Sequence, residues 1–397
     1  MQLLFLDGSA LDYTPVTPAE RPLGGMQSAL CYLTMALAAR GHRITLANRT
    51  TTPGSYGGVR CVRIDRLDAA TLNSFDAVIS ISTGSKAFRR SGVMRPLVLW
   101  TGHDIDQKAV ADLHDGTERY FWDKIVLMTN WQANRYRAAF KIKPEQISLL
   151  EYAIAPAFEN APRRKAYFFE AGRPPTLFYS STPFRGLDVL LSAFPTIRKA
   201  VPGCEARIYS SLTVYQTAAE QDPYRPLYAW SRAIEGVRYI GSVGQAALAK
   251  AMPELDVFAY PSTFQETSCI ALMEAMASGC MILSAAVGAV PETAAGFGYL
   301  CERAPNSSPD QFAELYAQFA ARRIQDAYGN PAQFAARLDE QRAYALKNYS
   351  WGRRAAEWET LLGGLSDQPL HTTAPHGTDS CPCGSGQQFK HCCGADA

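Results

Sequence analysis

The chain has 397 residues, 47% of them hydrophobic, which is apolar material for two cores of ordinary size rather than one. Its 39 basic residues against 37 acidic ones leave a formal net charge of +2, so no global field favours nucleic acid or an anionic membrane. No run approaches the roughly 18 apolar residues of a membrane span, and the opening MQLLFLDGSA enters a core-strand pattern without a leader signature, so the expected location is the cytoplasm.

Short apolar runs rich in β-branched residues alternate with amphipathic helical stretches, the pattern of parallel sheets with crossover helices. In the first half, strands are expected at Leu3–Leu6, Ile44–Ala47, Ala77–Ile81, Leu97–Trp100 and Ile125–Met128. Between the first two, Met26, Leu30, Leu33 and Leu37 recur at helical spacing, and Gly41 supplies a stop. NAPRRKAYFFEAGRPP, residues 160–175, is polar and proline-bearing and reads as an interdomain linker. The pattern then restarts. Strands are expected at Thr176–Ser180, Glu205–Tyr209, Asp256–Tyr260 and Met281–Ser284, with helices near Leu187–Ala200, Gln245–Met252 and Cys269–Ser278. Residues 309–362 are helical in pattern, and 363–380 have the composition of a flexible linker. The expected organisation is two doubly wound α/β domains, 1–160 and 161–362, the last helix returning to the first domain, then the linker and a tail at 381–397. Two such domains facing each other place a ligand cleft at the carboxyl ends of both sheets.

One stretch carries chemistry within a buried pattern: PSTFQETSCIALMEAMASGC, residues 261–280. The strand stops at Pro261, Thr267 or Ser268 is expected to cap the next helix, and Gly279 to end it. Glu274 is then the only charged residue on that helix. A buried unpaired carboxylate costs several kcal/mol, so Glu274 either faces a ligand or meets a neighbouring element. Glu266 lies at the helix mouth, where free backbone N–H groups and the helix dipole attract phosphate. One carboxylate on either side of a diphosphate suits a nucleotide sugar.

Glu266 and Glu274, followed by AMASGC, resemble the E-x7-E motif of retaining glycosyltransferases of the GT-B class, family 4. RPLGGMQSALCYLTMALAARGHRITL is similar to that family's amino-terminal glycine pair and first helix. SSTPFRGLDVLLSAFP resembles its basic-residue-Gly motif, and SAAVGAVPET its later Gly…Pro-Glu turn, with Glu292 at the acidic position. The resemblance implies two Rossmann-like domains facing across a cleft, the first on the acceptor side and the second binding a nucleoside diphosphate sugar. It makes Gly24 and Gly25 a loop that approaches donor or acceptor closely, as a residue without Cβ permits. It assigns Arg185 to the donor diphosphate, Glu274 to the ribose, Glu266 to the sugar, and Thr267, Ser268 and Cys269 to the donor loop. His103, after the strand PLVLW, matches a histidine that contacts the transferred sugar or the acceptor. Asp104 and Asp106 form a D-x-D that reads as incidental, and no catalytic metal is expected. Two departures stand out: the family's arginine ahead of its lysine has no counterpart in YSSTPFRG, and ETSCIA replaces the usual glycines after the first glutamate. The implied activity is transfer of a sugar with retention to a hydroxyl of a glycan or protein. Alternatives are another GT-B enzyme, such as a nucleotide-sugar epimerase, or a non-catalytic sugar-nucleotide-binding adaptor.

Six cysteines (Cys31, Cys61, Cys204, Cys269, Cys280 and Cys301) are scattered singly, as expected of reduced thiols packed as small hydrophobes. Cys381, Cys383, Cys392 and Cys393 crowd into CPCGSGQQFKHCCG, where four thiolates suit a closed, structural zinc site that would fold a peptide with almost no core. The tail closely resembles the SEC-C motif at the end of the SecA translocation ATPase, which implies a module for a protein partner. His391 is an alternative fourth ligand.

Overall fold

The structure, a computed structural model, describes residues 1–365, 370–381 and 385–392. The chain forms two compact units. The first comprises Met1–Thr17, Ala29–Tyr152 and Trp351–Ala397, the second Pro18–Ser28 and Ala153–Ser350.

The first unit holds β1 (Gln2–Leu6), β2 (Arg43–Asn48), β3 (Gly54–Tyr56), β4 (Val59–Arg63), β5 (Ala77–Ser80), β6 (Leu97–Trp100), β7 (Lys124–Leu127) and β8 (Ile147–Leu149). They form one sheet in the order β3-β4-β2-β1-β5-β6-β7-β8, parallel except for the β3/β4 hairpin. Leu3 pairs with Ile44 on one side and Ala77 on the other, and β5 and β6 are wholly buried. Such two-faced burial explains why these strands read as continuous apolar runs. The helix Trp351–Leu365 closes this unit: Trp358 meets Phe5 and Trp100 edge to face, with ring centroids 6.2 and 5.3 Å away.

The second unit holds β9 (Thr176–Tyr179), β10 (Glu205–Ile208), β11 (Val237–Tyr239), β12 (Val257–Tyr260), β13 (Met281–Ala285) and β14 (Tyr299–Cys301). The order is β11-β10-β9-β12-β13-β14, all parallel. The chain winds outward from β9 to β11, returns to the centre at β12, and winds outward the other way. That reversal makes the carboxyl ends of β9 and β12 the switch point of a doubly wound sheet. Leu187–Ala200 follows β9 with an apolar face of Leu187, Leu190, Leu191, Phe194 and Ile197, all buried. Pro309–Gly329 opens on a capping box between Ser308 and Gln311.

The expected linker at 160–175 is instead packed within the second unit. Tyr167, Phe168 and Phe169 are buried, and Phe169 meets Phe334 edge to face at 6.1 Å. Arg164 and Arg173, which made the stretch look polar, both pair with the carboxylate of Asp256, whose side chain is fully buried. Two cations and the Thr176 N–H offset the desolvation of that carboxylate. Among the described residues, no helix is long and apolar enough to cross a membrane.

Candidate functional site

Arg185 and Glu266 follow β9 and β12, the two strands that flank the switch point of the second sheet. The loops that carry them are locked by contacts only glycine allows. Gly186 has φ +95°, and a Cβ there would lie 2.2 Å from the Pro261 carbonyl oxygen. Gly288, in the SAAVGAVPET turn, has φ +57°, and its Cβ would lie 2.4 Å from the Glu266 carbonyl oxygen. Ala289 N–H donates to that same oxygen at 2.7 Å.

The Glu266 carboxylate is 1% exposed. Arg185 Nη1 donates to its Oε1 at 2.8 Å and its Oε2 at 2.6 Å, and the Tyr260 hydroxyl donates to Oε1 at 2.5 Å. The Arg185 guanidinium lies over the rings of Phe264 and Phe184, 4.4 and 5.6 Å from their centroids. Its Nε is buried with no hydrogen-bond partner among the described residues. Burial opposes the charge of Arg185, yet Glu266 with Tyr260 and Tyr215 holds its pKa well above the ordinary arginine value. Burial, reinforced by Glu266, raises the Tyr260 phenol in turn. The two residues expected to hold separate parts of a donor are thus joined to each other. Tyr260 was missed because it reads as the last apolar residue of a buried strand.

The following helix spans Ile270–Ala277. Neither Thr267 nor Ser268 caps it: Cys269 is the N-cap, without a side-chain hydrogen bond, and Ser268 Oγ is buried without a partner among the described residues. Burial pushes the Cys269 thiol far up, so it holds no reactive thiolate. Gly279 ends the helix at φ +69°, as the sequence suggests. Glu274 accepts from Gln245 Nε2 at 2.8 Å and the Ala155 N–H at 3.4 Å, both on Oε1. Burial, only partly offset by these two donors, pushes its carboxyl up to about 8. Of the two readings open at the sequence level, the neighbouring-element contact is present, and it leaves Oε2 for another partner.

Gly24 and Gly25 belong to this unit as well. A Cβ on Gly24 would sit 3.0 Å from Cε1 of the Tyr215 ring, and one on Gly25 3.5 Å from Cδ1 of Ile270. The close approach at position 24 is therefore that of two side chains within the protein, the Tyr215 ring and Gln27 Oε1, each 3.0 Å from that Cβ.

His103 lies in the first unit, after β6. Its Nδ1 is 2.9 Å from Thr101 Oγ1, and its carbonyl oxygen accepts from Gln132 Nε2 and the Tyr136 hydroxyl. Burial lowers its pKa, against the opposing charge of Asp7, so the ring is neutral at pH 7. Asp7 ends the buried run of β1, accepts from Tyr13 and Ser9, and was passed over in the sequence because DGSA reads as a plain turn. Both oxygens of Asp104 are taken by Arg135 at 2.8 Å.

In the tail, Ser380 bridges to Gln388, Cys381 N–H donates to the Gln387 carbonyl, and Phe389 N–H to that of Asp379. Cys381 is buried, while Cys392 is half-buried and its Sγ accepts from Ser385 Oγ at 3.2 Å. Cys383 and Cys393 lie outside the described residues. Among the described residues, no group of three or more His, Cys, Asp or Glu side chains is assembled for a metal. Upstream, His371 N–H donates to Asp123 at 3.1 Å, and its ring lies 4.6 Å from that of Tyr120.

Comparison with known proteins bears on the fold and on two segments of the chain. Residues 174–321 match the family described as Glycosyl transferases group 1, and residues 378–395 match the SEC-C motif. A phosphatidyl-myo-inositol mannosyltransferase of Mycobacterium tuberculosis is 25% identical over 158 residues; the match spans 40% of this chain and 38% of that relative's length. Sucrose-phosphate synthase of Thermosynechococcus elongatus has a similar fold, with TM-score 0.68 and 15% identity over 92% of this chain and 98% of that one. HepE of Anabaena, solved in complex with UDP-glucose, has TM-score 0.64 and 15% identity over 92% of this chain and 100% of that one. The chain has the GT-B fold, residues 174–321 of its second unit resemble the Glycosyl transferases group 1 family, and its tail matches the SEC-C motif.

Proposed function

We propose that the protein is a retaining glycosyltransferase, moving a sugar from a nucleoside diphosphate donor to a hydroxyl of a glycan or protein. The observation that carries this reading is the Arg185–Glu266–Tyr260 cluster at the switch point of the second sheet, followed by a helix bearing a buried carboxylate. In this reading the diphosphate meets the unengaged edge of Arg185, whose charge supports the leaving group. Glu274 Oε2 accepts a ribose hydroxyl, and Glu266 orients the sugar. His103, neutral and turned by Thr101, contacts the sugar or the acceptor. A structural neighbour that holds UDP-glucose supports the donor class.

Retention through a covalent glycosyl-enzyme needs a free carboxylate nucleophile. Both Glu266 oxygens are engaged by Arg185, and Oε1 also by Tyr260, so Glu266 is poorly disposed to attack. The proposed course is attack by the acceptor hydroxyl on the face the phosphate leaves, its proton passing to the departing phosphate oxygen. Cys381 and Cys392, with Cys383 and Cys393, would hold zinc, which would order the tail for a protein partner and take no part in transfer.

A thermal-shift screen of nucleoside diphosphate sugars, followed by proton NMR of the first-formed product, tests this. A donor that stabilises the protein and yields a product of unchanged anomeric configuration is expected. Binding without transfer to any hydroxyl acceptor would favour an adaptor, and inversion would overturn the proposed course.

A further inference from the structure

The proposed donor site has a charge problem. A diphosphate brings two to three negative charges, but the one guanidinium at the switch point already shares its charge with Glu266 through Nη1. What remains is an Arg185 edge whose Nε has no partner among the described residues. A second, uncharged donor beside Arg185 would ease that shortage, and Tyr215 lies nearby.

Tyr215 ends the turn Leu212–Tyr215 and is followed by Gln216 at φ +58°. The turn is held from below by Asp222, itself buried, which accepts from Leu212 N–H at 3.0 Å, Tyr224 N–H at 2.8 Å and the Tyr228 hydroxyl at 2.8 Å. Ser211 ties the same turn to Ser242 at 2.8 Å. The Tyr215 ring lies against Gly24, and Gly25 lies against Ile270, the first residue of the helix after the Glu266 loop. With the turn held in this way, Tyr215 is 38% exposed, so its hydroxyl end is open to a ligand. The phenol is also close enough to Arg185 to bear on its charge.

We infer that Tyr215 is a donor-binding residue whose hydroxyl donates to the diphosphate beside Arg185, with Gly24 present to seat its ring. This rests on the donor reading above. A phenol suits the place because it offers a hydrogen bond without adding a charge next to the Arg185–Glu266 pair. The pinned turn means that little freedom is lost on binding.

The test is calorimetric titration of the full chain with UDP, GDP and ADP, with inorganic pyrophosphate as a base-free probe. Tyr215→Phe should keep the wild-type melting temperature and bind the preferred diphosphate about 10- to 100-fold more weakly, the worth of one hydrogen bond to a charged group. Gly24→Ala should weaken it similarly in the wild type but add little in the Tyr215→Phe background, since both act through one hydroxyl. Wild-type affinity in Tyr215→Phe would overturn the inference and leave the donor reading standing. Failure of the wild type to bind any of the three nucleotides would overturn both.

Discussion

Glu274 gives the sharpest quantitative prediction, because its carboxyl is buried and its two protein partners are weak. Burial lifts it from the model-peptide value of 4.5 to about 8, so most of it is protonated at neutral pH. The folded-state value lies above the unfolded one, so the protonated group's contribution to stability is complete below pH 4.5 and lost as pH rises through 8. Between those limits the loss is a little over ~1 kcal/mol per pH unit. For a unit of roughly 150–250 residues each kcal/mol moves Tm by about 2–4 °C. Glu274→Gln keeps an acceptor for Gln245 Nε2 and never titrates. Its Tm should therefore lie close to the wild type near pH 5 and exceed it by roughly 7–14 °C near pH 8. Scanning calorimetry of both proteins across that range measures the difference directly. A flat difference would mean that Glu274 is already ionised when folded, and the burial argument would be wrong. The same logic predicts that a donor whose ribose hydroxyls need a carboxylate acceptor releases a proton on binding near pH 7. Calorimetry in buffers of different ionisation heat reads that release.

Arg185→Ala should be inactive and destabilised by about 3–5 kcal/mol, because Glu266 is left as a buried carboxylate with only the Tyr260 hydroxyl; urea titration and initial rates check this, and Arg185→Lys should recover part of both. Gly288→Ala should lower transfer and stability together, by about 1–3 kcal/mol for the backbone strain alone, since its Cβ would drive into the Glu266 backbone. Elemental analysis should find about one zinc per chain, and Cys381→Ser with Cys392→Ser should abolish it while small-acceptor transfer persists. Truncation should be made after Leu365 rather than Leu362, because both are buried on the last helix, and it should lower transfer to the native acceptor alone.

The central strands were legible because two-faced burial writes an unbroken apolar run. The outer ones were not. Val59–Arg63, VRCVR, carries two arginines within five residues, and Val237–Tyr239 and Ile147–Leu149 are three residues each, too short to show a period. The 160–175 stretch misled for a different reason: whether Arg164 and Arg173 are solvated or buried depends on Asp256, more than eighty residues away in the chain. In the candidate site, the two glutamates were legible as carboxylates in an apolar setting. Their partners were not, since nothing local to Gln245, Ala155 or Tyr260 marks them as neighbours of a carboxylate. Gly24 was legible as a place needing room, but the occupant of that room, Tyr215, emerges only from the fold.

The way the chain is threaded has a consequence for its synthesis. Apart from the short segment Pro18–Ser28, the second unit is one continuous stretch, Ala153–Ser350, inserted between Tyr152 and Trp351 of the first. On the ribosome it has every residue it needs once Ser350 has emerged. The first unit, begun earlier, still lacks the helix Trp351–Leu365 and with it the indole of Trp358 that sits between Phe5 and Trp100. The amino-terminal sheet must therefore wait, partly uncovered, while the later unit is made. A nascent chain stalled before Trp351 should present that apolar face to chaperones, even though its second unit is complete.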